Sequence, residues 1–456
     1  MGGTRAASDK AYPPKRVAIL AACPFPANHG TPGAIRELAE ALHRLGHEVH
    51  VVTYPQGDAT LTSGLRVHRA SALWFRPQEV RIGPSLSRLL YDLMMIPRLL
   101  RVVWKHRIDV IHAHNYEAGI VGSVVSWITG TPLVYNGVNS MADELPSYDF
   151  FSSKQFALWL GQWLDRIVPR RADAVITLSD ELRDHLINCG LSPQRCLVMP
   201  LGVDTTIFAH GNGGLVRARF GIDTQTPIVG YTGSIENFQR LDLLVEAFAR
   251  LAAWNPKAIL MIVNNIKNVV QRSALETQAL KLDIGSRVLF AEEVPLGELR
   301  HYLAAIDVAV ISRPSCPGIP VKLLNSMAAS RAIVCASGSA KCVCHGYNAY
   351  VARNDDADDL ADGIELLLSS ESLRAELGRR ARASLDGIYD WDTIGLATGL
   401  VYDQVCRPNR QLDRSELSFY LKPTYTPILA DESSMSSTGF LQSGPIVYPE
   451  SWSEIP

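Results

Sequence analysis

The chain lacks any excess of charge: 44 Lys and Arg stand against 46 Asp and Glu in 456 residues, a formal net charge of −2. No global field therefore draws it to nucleic acid, and no nucleic-acid partner is expected. It lacks a long apolar run as well. The most apolar span, 86–104, is interrupted by Arg88, Arg98 and Arg101, whereas a spanning helix needs about 20 mostly apolar residues. The first ten residues hold no apolar core, so no signal peptide is expected. Cysteine is sparse: eight are scattered along the chain, a usage that suits a reducing cytoplasm, where thiols act as small apolar groups. A strict G-x-G-x-x-G is missing too, which withdraws support from a dinucleotide-binding fingerprint.

What is present is ordinary globular composition, 47% apolar and 20% charged, in a chain long enough for two or three domains. An apolar run at 16–22, a Pro/Gly loop at 23–33, helical spacing in Ile35, Leu38, Ala39, Leu42 and Leu45, and a second run at 48–53 open a doubly wound parallel sheet. Further strands are read at 65–69, 109–113, 131–135, 174–178 and 196–199. After Pro200-Leu-Gly-Val-Asp204 the alternation starts again, with strands at 228–231, 258–263, 287–290, 307–311 and 332–336. The fold class is α/β, with two facing Rossmann-like domains and a ligand in the cleft between them. The first domain is placed at 15–204 and completed by 389–406, and the second at 205–388. Residues 407–456, rich in Ser, Gly and Pro, read as a disordered tail.

The stretch from Ser312 to Ser330 organises the second half. It runs from the end of an apolar strand through a Pro/Gly-stiffened loop into a helix that starts near Val321. A helix N-terminus presents unpaired N–H groups, and Lys322 adds a full charge there, so the stretch reads as a site for a phosphorylated ligand. Gly33, at the start of the first helix, offers a second anion site. His114 and Asn136 sit where strands end, with Asn139, Asp143 and Glu144 on the loop beyond. Region 81–107 is basic and apolar. It has two readings: a core-facing helix bent at Pro97, or a patch resting on anionic lipid. Cys342-x-Cys344-His345 lacks a second ligand pair at zinc spacing, and no metal site is expected.

Between about 16 and 406 the residues resemble the retaining glycosyltransferases of family 4, which have the GT-B fold. The resemblance rests on Pro317-Gly-Ile-Pro-Val-Lys-Leu-Leu-Asn-Ser-Met-Ala-Ala with Gly338-Ser-Ala-Lys341 beyond it. It rests also on Gly46-His-Glu-Val-His-Val-Val-Thr53, Asp109-Val-Ile-His-Ala-His114, Pro200-Leu-Gly-Val-Asp204, Asp242-Leu-Leu-Val-Glu-Ala-Phe248 and Tyr389-Asp-Trp-Asp392. It implies a hexose moved, with retention and without metal or cofactor, from a nucleoside-diphosphate sugar to an acceptor. UDP-sugars come first as donor, with GDP- and ADP-sugars as alternatives. The second domain would hold the donor through Gly233, Ser234, Gln239, Arg240, Arg313, Gly318, Ile319, Lys322, Leu323, Leu324 and Asn325, joined by Gly33 from the first. The first domain would hold the acceptor through Asn136, Asn139, Asp143 and Glu144. Lys322 and His114 are the candidate catalytic groups.

The chain also departs from the family pattern. The family's usual Arg and Lys align with Ser234 and Gln239, its two glutamates with Pro317 and Asn325, and a histidine of its first domain with Val138. Two functional readings follow. One is an active glycosyltransferase of polysaccharide or glycoconjugate biosynthesis, cytoplasmic, and at the inner membrane face if 81–107 meets lipid. The acceptor would be a saccharide, free or lipid-linked. The other is a catalytically degenerate member that serves as a binding or scaffolding subunit.

Overall fold

The structure is a computed structural model. It describes residues 12–26, 30–57, 64–71, 85–148, 150–264, 268–316, 319–409 and 412–421. The chain divides into two compact units. Among described residues the first unit comprises 12–202 and 391–421, and the second comprises 203–390.

The first unit is built on a seven-stranded sheet in the order β3-β2-β1-β4-β5-β6-β7, every pair parallel. Its strands are β1 (Arg16–Ala21), β2 (Glu48–Thr53), β3 (Arg66–Arg69), β4 (Val110–His114), β5 (Leu133–Gly137), β6 (Ala174–Thr177) and β7 (Cys196–Val198). Parallel strands need long crossovers, and these are helices α1 (Gly30–Arg44), α2 (Leu86–His106), α3 (Asn115–Thr129), α4 (Met141–Glu144), α5 (Lys154–Ile167) and α6 (Asp180–Asn188). Strands covered on both faces tend to read as continuous apolar runs; β1 is one after Arg16, whereas β4 and β5 are buried throughout but carry His112, His114 and Asn136 among their apolar residues. One face carries the core of α2, α3, α5 and α6, with Tyr91, Met95, Leu99, Val121, Leu164 and Leu186 buried.

The second unit continues with α7 (Thr205–Ala209) and α8 (Gly213–Phe220), then a six-stranded parallel sheet in the order β10-β9-β8-β11-β12-β13. Its strands are β8 (Ile228–Thr232), β9 (Ile259–Val263), β10 (Val288–Ala291), β11 (Val308–Ile311), β12 (Ala332–Ala336) and β13 (Tyr350–Ala352). Its other helices are α9 (Leu241–Trp254), α10 (Val269–Lys281), α11 (Leu296–Ala305), α12 (Val321–Ala328), α13 (Ala357–Ser369) and α14 (Glu371–Ala383).

The chain then returns to the first unit through α15 (Trp391–Cys406) and α16 (Arg414–Leu421). Trp391 lies flat against Gly202, where a Cβ would come within 2.4 Å of the indole, and its N–H donates to Glu37 at 2.8 Å. Ile394, Ala397, Leu400, Val401, Tyr402 and Val405 join α1 in the core on the sheet's other face. This corrects the expectation for the tail. Residues 414–421 form a helix because Leu417 is 2% exposed, Gln404 donates to Glu416 at 2.9 Å, and Arg414 donates to the carbonyl of Cys196 at 2.7 Å. The rest of the tail reading, 422–456, falls outside the described residues.

The 81–107 region is helical over α2, with one face on the sheet and the other exposed. Tyr91, Met95, Leu99, Val102 and Val103 are buried on the sheet, while Leu89, Leu90, Leu93 and Trp104 are exposed. Arg81 lies outside the described residues. Arg88 turns inward and pairs with Glu117 at 2.6 Å, so it does not belong to the outer surface.

Candidate functional site

In an open parallel sheet, ligands bind beyond the carboxyl ends of strands where the strand order reverses. In the second unit that point lies between β8 and β11. Gly233 and Ser234 follow β8, Ser312 and Arg313 follow β11, and α12 begins after the same loop.

Lys322 occupies the first turn of α12. Its ammonium donates to Gln239 Oε1 at 2.7 Å and to the hydroxyl of Tyr231, and it lies 4.2 Å from the centre of the Tyr231 ring. Tyr231 in turn donates to the carbonyl of Ser234 at 2.7 Å. Ser312, at the end of β11, donates to the carbonyl of Gln239 at 2.9 Å and so fixes the turn that aims the Gln239 amide. Gly233 makes room. With φ at +134°, a conformation that L side chains rarely adopt, it leaves a gap where a Cβ would meet Lys322 Nζ at 2.9 Å.

Burial, with the nearby Arg313 charge adding to it, lowers the Lys322 pKa to about 7. At neutral pH this side chain is therefore poised between its charged and neutral forms. An arriving diphosphate would restore the charge. Pro320 gives the helix no side-chain cap, and the first-turn N–H groups of Val321 and Lys322 precede the helical ladder. Asn325 follows Lys322 by three positions, on the same side of the helix, and is 8% exposed.

Other expected donor contacts are placed differently. Leu323 and Leu324 are fully buried and their N–H groups both turn to the carbonyl of Pro320, at 2.9 and 3.4 Å. Their side chains serve the core. The Arg240 guanidinium is engaged by Asp242 at 3.1 Å and by Asp355. Arg313 lies over the Phe238 ring at 4.8 Å and donates to the carbonyl of Ser315. Ile319 is half-buried ahead of α12, and Gly318 lies outside the described residues.

In the first unit the strand order reverses between β1 and β4. His114 ends β4 and is paired in register with Ala21 on one side and Asn136 on the other. Both His114 and Asn136 are buried, and His114 Nε2 and Asn136 Oδ1 have no hydrogen-bond partner among the described residues. Such groups are costly unless something else meets them. Burial pushes His114 down to about 3, so it stands as a neutral imidazole. Its ring lies 4.2 Å from that of His112, whose Nδ1 meets the Tyr402 hydroxyl at 2.7 Å.

The loop after β5 is held from below. The buried Asp165 carboxylate accepts from the N–H groups of Met141 and Ala142 at 2.8 and 3.0 Å and from Ser140 Oγ at 3.1 Å, and it meets His185 Nε2 at 2.9 Å. This leaves Asp143 exposed, while Asn139 donates to Glu144 at 3.1 Å. Gly33 is buried in the first turn of α1, which begins three residues earlier than its spacing suggests.

Several residues near these sites carry no signal in the sequence. Tyr231, Asp165 and the Arg88–Glu117 pair act through contacts far apart along the chain. Glu117 is pushed up to about 7 by burial, against the pull of Arg88, and Arg88 also donates to the carbonyl of Ala22 at 3.2 Å. From the sequence no metal is expected. Among the described residues, one group has the composition to hold an ion: His50, His68 and His106, whose ring nitrogens lie within 4.8 Å of one another.

Two family patterns match the chain. "Glycosyl transferase 4-like domain" covers residues 30–202 and "Glycosyl transferases group 1" covers 215–384. The solved sucrose-phosphate synthase of Thermosynechococcus elongatus superposes with a TM-score of 0.71 at 20% identity, over 86% of this chain and 99% of that one. The fold is GT-B. A second GT-B structure, HepE from Anabaena in complex with UDP and glucose, gives a TM-score of 0.66 at 18% identity, over 84% and 98% of the two chains. Among curated relatives, D-inositol 3-phosphate glycosyltransferase 2 of Catenulispora acidiphila is 25% identical over 438 residues, 89% of this chain and 98% of its own length. The relatives of this GT-B chain are thus glycosyltransferases.

Proposed function

We propose that the chain transfers a hexose from a nucleoside-diphosphate sugar to a saccharide acceptor with retention of configuration. The observation that carries the reading is the enclosed Lys322 ammonium at the start of α12, at the reversal point of the second sheet. In this reaction the bond between the anomeric carbon and the diphosphate breaks, and the diphosphate leaves with the electron pair. The acceptor oxygen bonds the same carbon on the same face, and its proton goes to the departing diphosphate. Negative charge builds on the leaving group, so preorganised donors aimed at it lower the barrier. Lys322 and the N–H groups opening α12 are such donors. Asn325 offers both a donor and an acceptor to ribose hydroxyls.

Gln239 occupies the position where the resemblance gives a lysine. Its amide oxygen accepts from Lys322, so at that position the ammonium meets a neutral partner. UDP is the favoured nucleotide, in keeping with the HepE complex. In the first unit, neutral His114 and Asn136 would take hydrogen bonds from the acceptor. The test is a panel of UDP-, GDP- and ADP-sugars with the purified chain. Transfer or donor hydrolysis with one of them is expected, and it should fall about 100- to 1,000-fold in Lys322→Ala. Absence of turnover and of nucleotide binding across the panel defeats the reading.

We also infer that the acceptor is presented at a lipid surface. α2, α3 and α5 share one face of the first sheet and expose Leu93, Trp104, Trp127, Trp159 and Trp163. Arg101, Lys105, Lys154 and Arg166 are exposed on α2 and α5, whereas the acidic residues of the three helices, Asp92, Glu117 and Asp165, are half-buried or buried. Trp with Lys and Arg and without exposed acid is the composition of an interfacial surface. No helix among the described residues is long and apolar enough to cross a membrane. Flotation with anionic vesicles should carry the protein upward. Its retention in the load fraction removes this part of the reading.

A further inference from the structure

We propose that His50, His68 and His106 form a binding site for a divalent transition-metal ion, of the Zn²⁺, Ni²⁺ or Cu²⁺ class, that clamps the edge of the first unit's sheet to the end of α2.

His50 lies on β2 and His68 on β3, the edge strand, and the parallel register puts them diagonally opposite, since His50 pairs with Arg66 and Val52 with His68. Val52 and Tyr54, two and four residues beyond His50, belong to the core beneath α2, so His50 points to the same side. His106 is the last residue of α2. Three elements distant in sequence therefore deliver three imidazoles to one place, with ring centroids 4.3 Å (His50 to His106), 5.1 Å (His50 to His68) and 5.4 Å (His68 to His106) apart.

The spacing suits coordination. His50 Nδ1 and His68 Nε2 are 2.9 Å apart. Two imidazole nitrogens bound to one zinc at about 2.0–2.1 Å would stand roughly 2.9 Å apart at a right angle and about 3.4 Å apart at the tetrahedral angle. The other nitrogen of His50, Nε2, is 3.1 Å from Glu48 Oε1. A metal-ligating histidine usually donates its second N–H to a carboxylate, which fixes the tautomer and leaves the first nitrogen free to ligate. Glu48 is placed for that role. It is itself held by Arg66 on the neighbouring strand. His50 is fully buried, so its orientation is set by the fold.

The class of ion follows from the ligands. Three imidazoles and one second-layer carboxylate favour zinc, nickel or copper, whereas magnesium and calcium need oxygen donors that this cluster does not supply. The charged side chains acting on the cluster are Glu48, Arg66, Arg98 and Lys105. With three cations against one anion, bonds to neutral nitrogen must drive the binding, which again selects transition metals. The end of α2 contributes its carbonyl dipoles, which favour a cation there.

The test uses the full-length chain without a histidine tag, stripped with chelator and dialysed. Titration with Zn²⁺ by calorimetry should show one equivalent bound, and the thermal midpoint should rise with Zn²⁺ and fall back on chelation. Mg²⁺ should do neither. Co²⁺ should give the weak visible bands of nitrogen and oxygen ligation without thiolate charge transfer. His68→Asn and His106→Gln should each lose at least about tenfold in Zn²⁺ affinity, and Glu48→Gln about 10- to 100-fold. Circular dichroism of each variant in chelator should match the parent, which separates loss of a ligand from loss of the fold. Failure to bind Zn²⁺ overturns the proposal. So does an affinity unchanged in His68→Asn and His106→Gln, or a cobalt spectrum with thiolate bands.

Discussion

Beyond the strands of the second sheet, an ammonium is already engaged: Lys322 is met by Gln239 and Tyr231, and Gly233 gives it space. Beyond the strands of the first sheet, the corresponding atoms are waiting: His114 Nε2 and Asn136 Oδ1 are buried without a partner among the described residues. One site stores charge in a depressed pKa, the other stores unmet hydrogen bonds. The contrast fits the chemistry proposed for each. A diphosphate brings negative charge, and beside it a lysine takes up a proton from solvent. A sugar brings neutral hydroxyls and can satisfy an imidazole and an amide.

The division between the two sites is tested hardest at His114. His114→Ala should lower kcat about 100-fold or more while leaving the dissociation constant for donor unchanged, the reverse of a change at the donor site. Steady-state kinetics beside calorimetric donor binding separate the two, and a matching loss of donor affinity would erase the division of labour. Gly233→Ala should come next. The strained backbone costs about 1–3 kcal/mol of stability, and the new methyl displaces the Lys322 ammonium. Denaturant midpoints and donor titrations should both shift, and a variant normal in both would show that Gly233 sets no limit on the lysine.

A pH series refines the same point. Lys322 titrates near 7 without ligand, and a bound diphosphate raises that value, so binding takes up a proton. Affinity for a nucleotide-sugar should be flat below pH 7 and fall by up to about tenfold per pH unit above it. A flat profile through pH 9 would mean that the lysine does not meet phosphate. Arg240→Ala should change least, within about 0.5 kcal/mol, because its charge is spent on Asp242 and Asp355 near the surface.

The alternation of short apolar runs with helical spacing made the two parallel sheets legible. The course of the stretch 312–330 from strand through loop to helix was legible too, because its prolines and glycine break the apolar pattern between two periodic segments. What stayed hidden depends on contacts that spacing cannot encode. Arg88 reads as one more cation on a basic helix, yet it faces inward because Glu117, 29 positions on, lies beneath it. Leu323 and Leu324 share a motif with Lys322, but the helix turns them into the core. Tyr231 looks like an ordinary strand residue. Its hydroxyl matters only because α12 lies above it, 91 residues later. The three histidines are 18 and 38 residues apart along the chain, a separation that no metal motif shares. α16 was lost in a Ser- and Pro-rich context, although its docking residues are specific.

The return of α15 to the first unit has a consequence for biosynthesis. On the ribosome, the chain must emerge past Tyr402 before Trp391, Leu400 and Tyr402 can cover the apolar surface left by α1 and β1. The middle stretch, by contrast, has every strand of its own sheet available as soon as it leaves the exit tunnel. Translation thus reverses the order of assembly: the half that is made first is finished last.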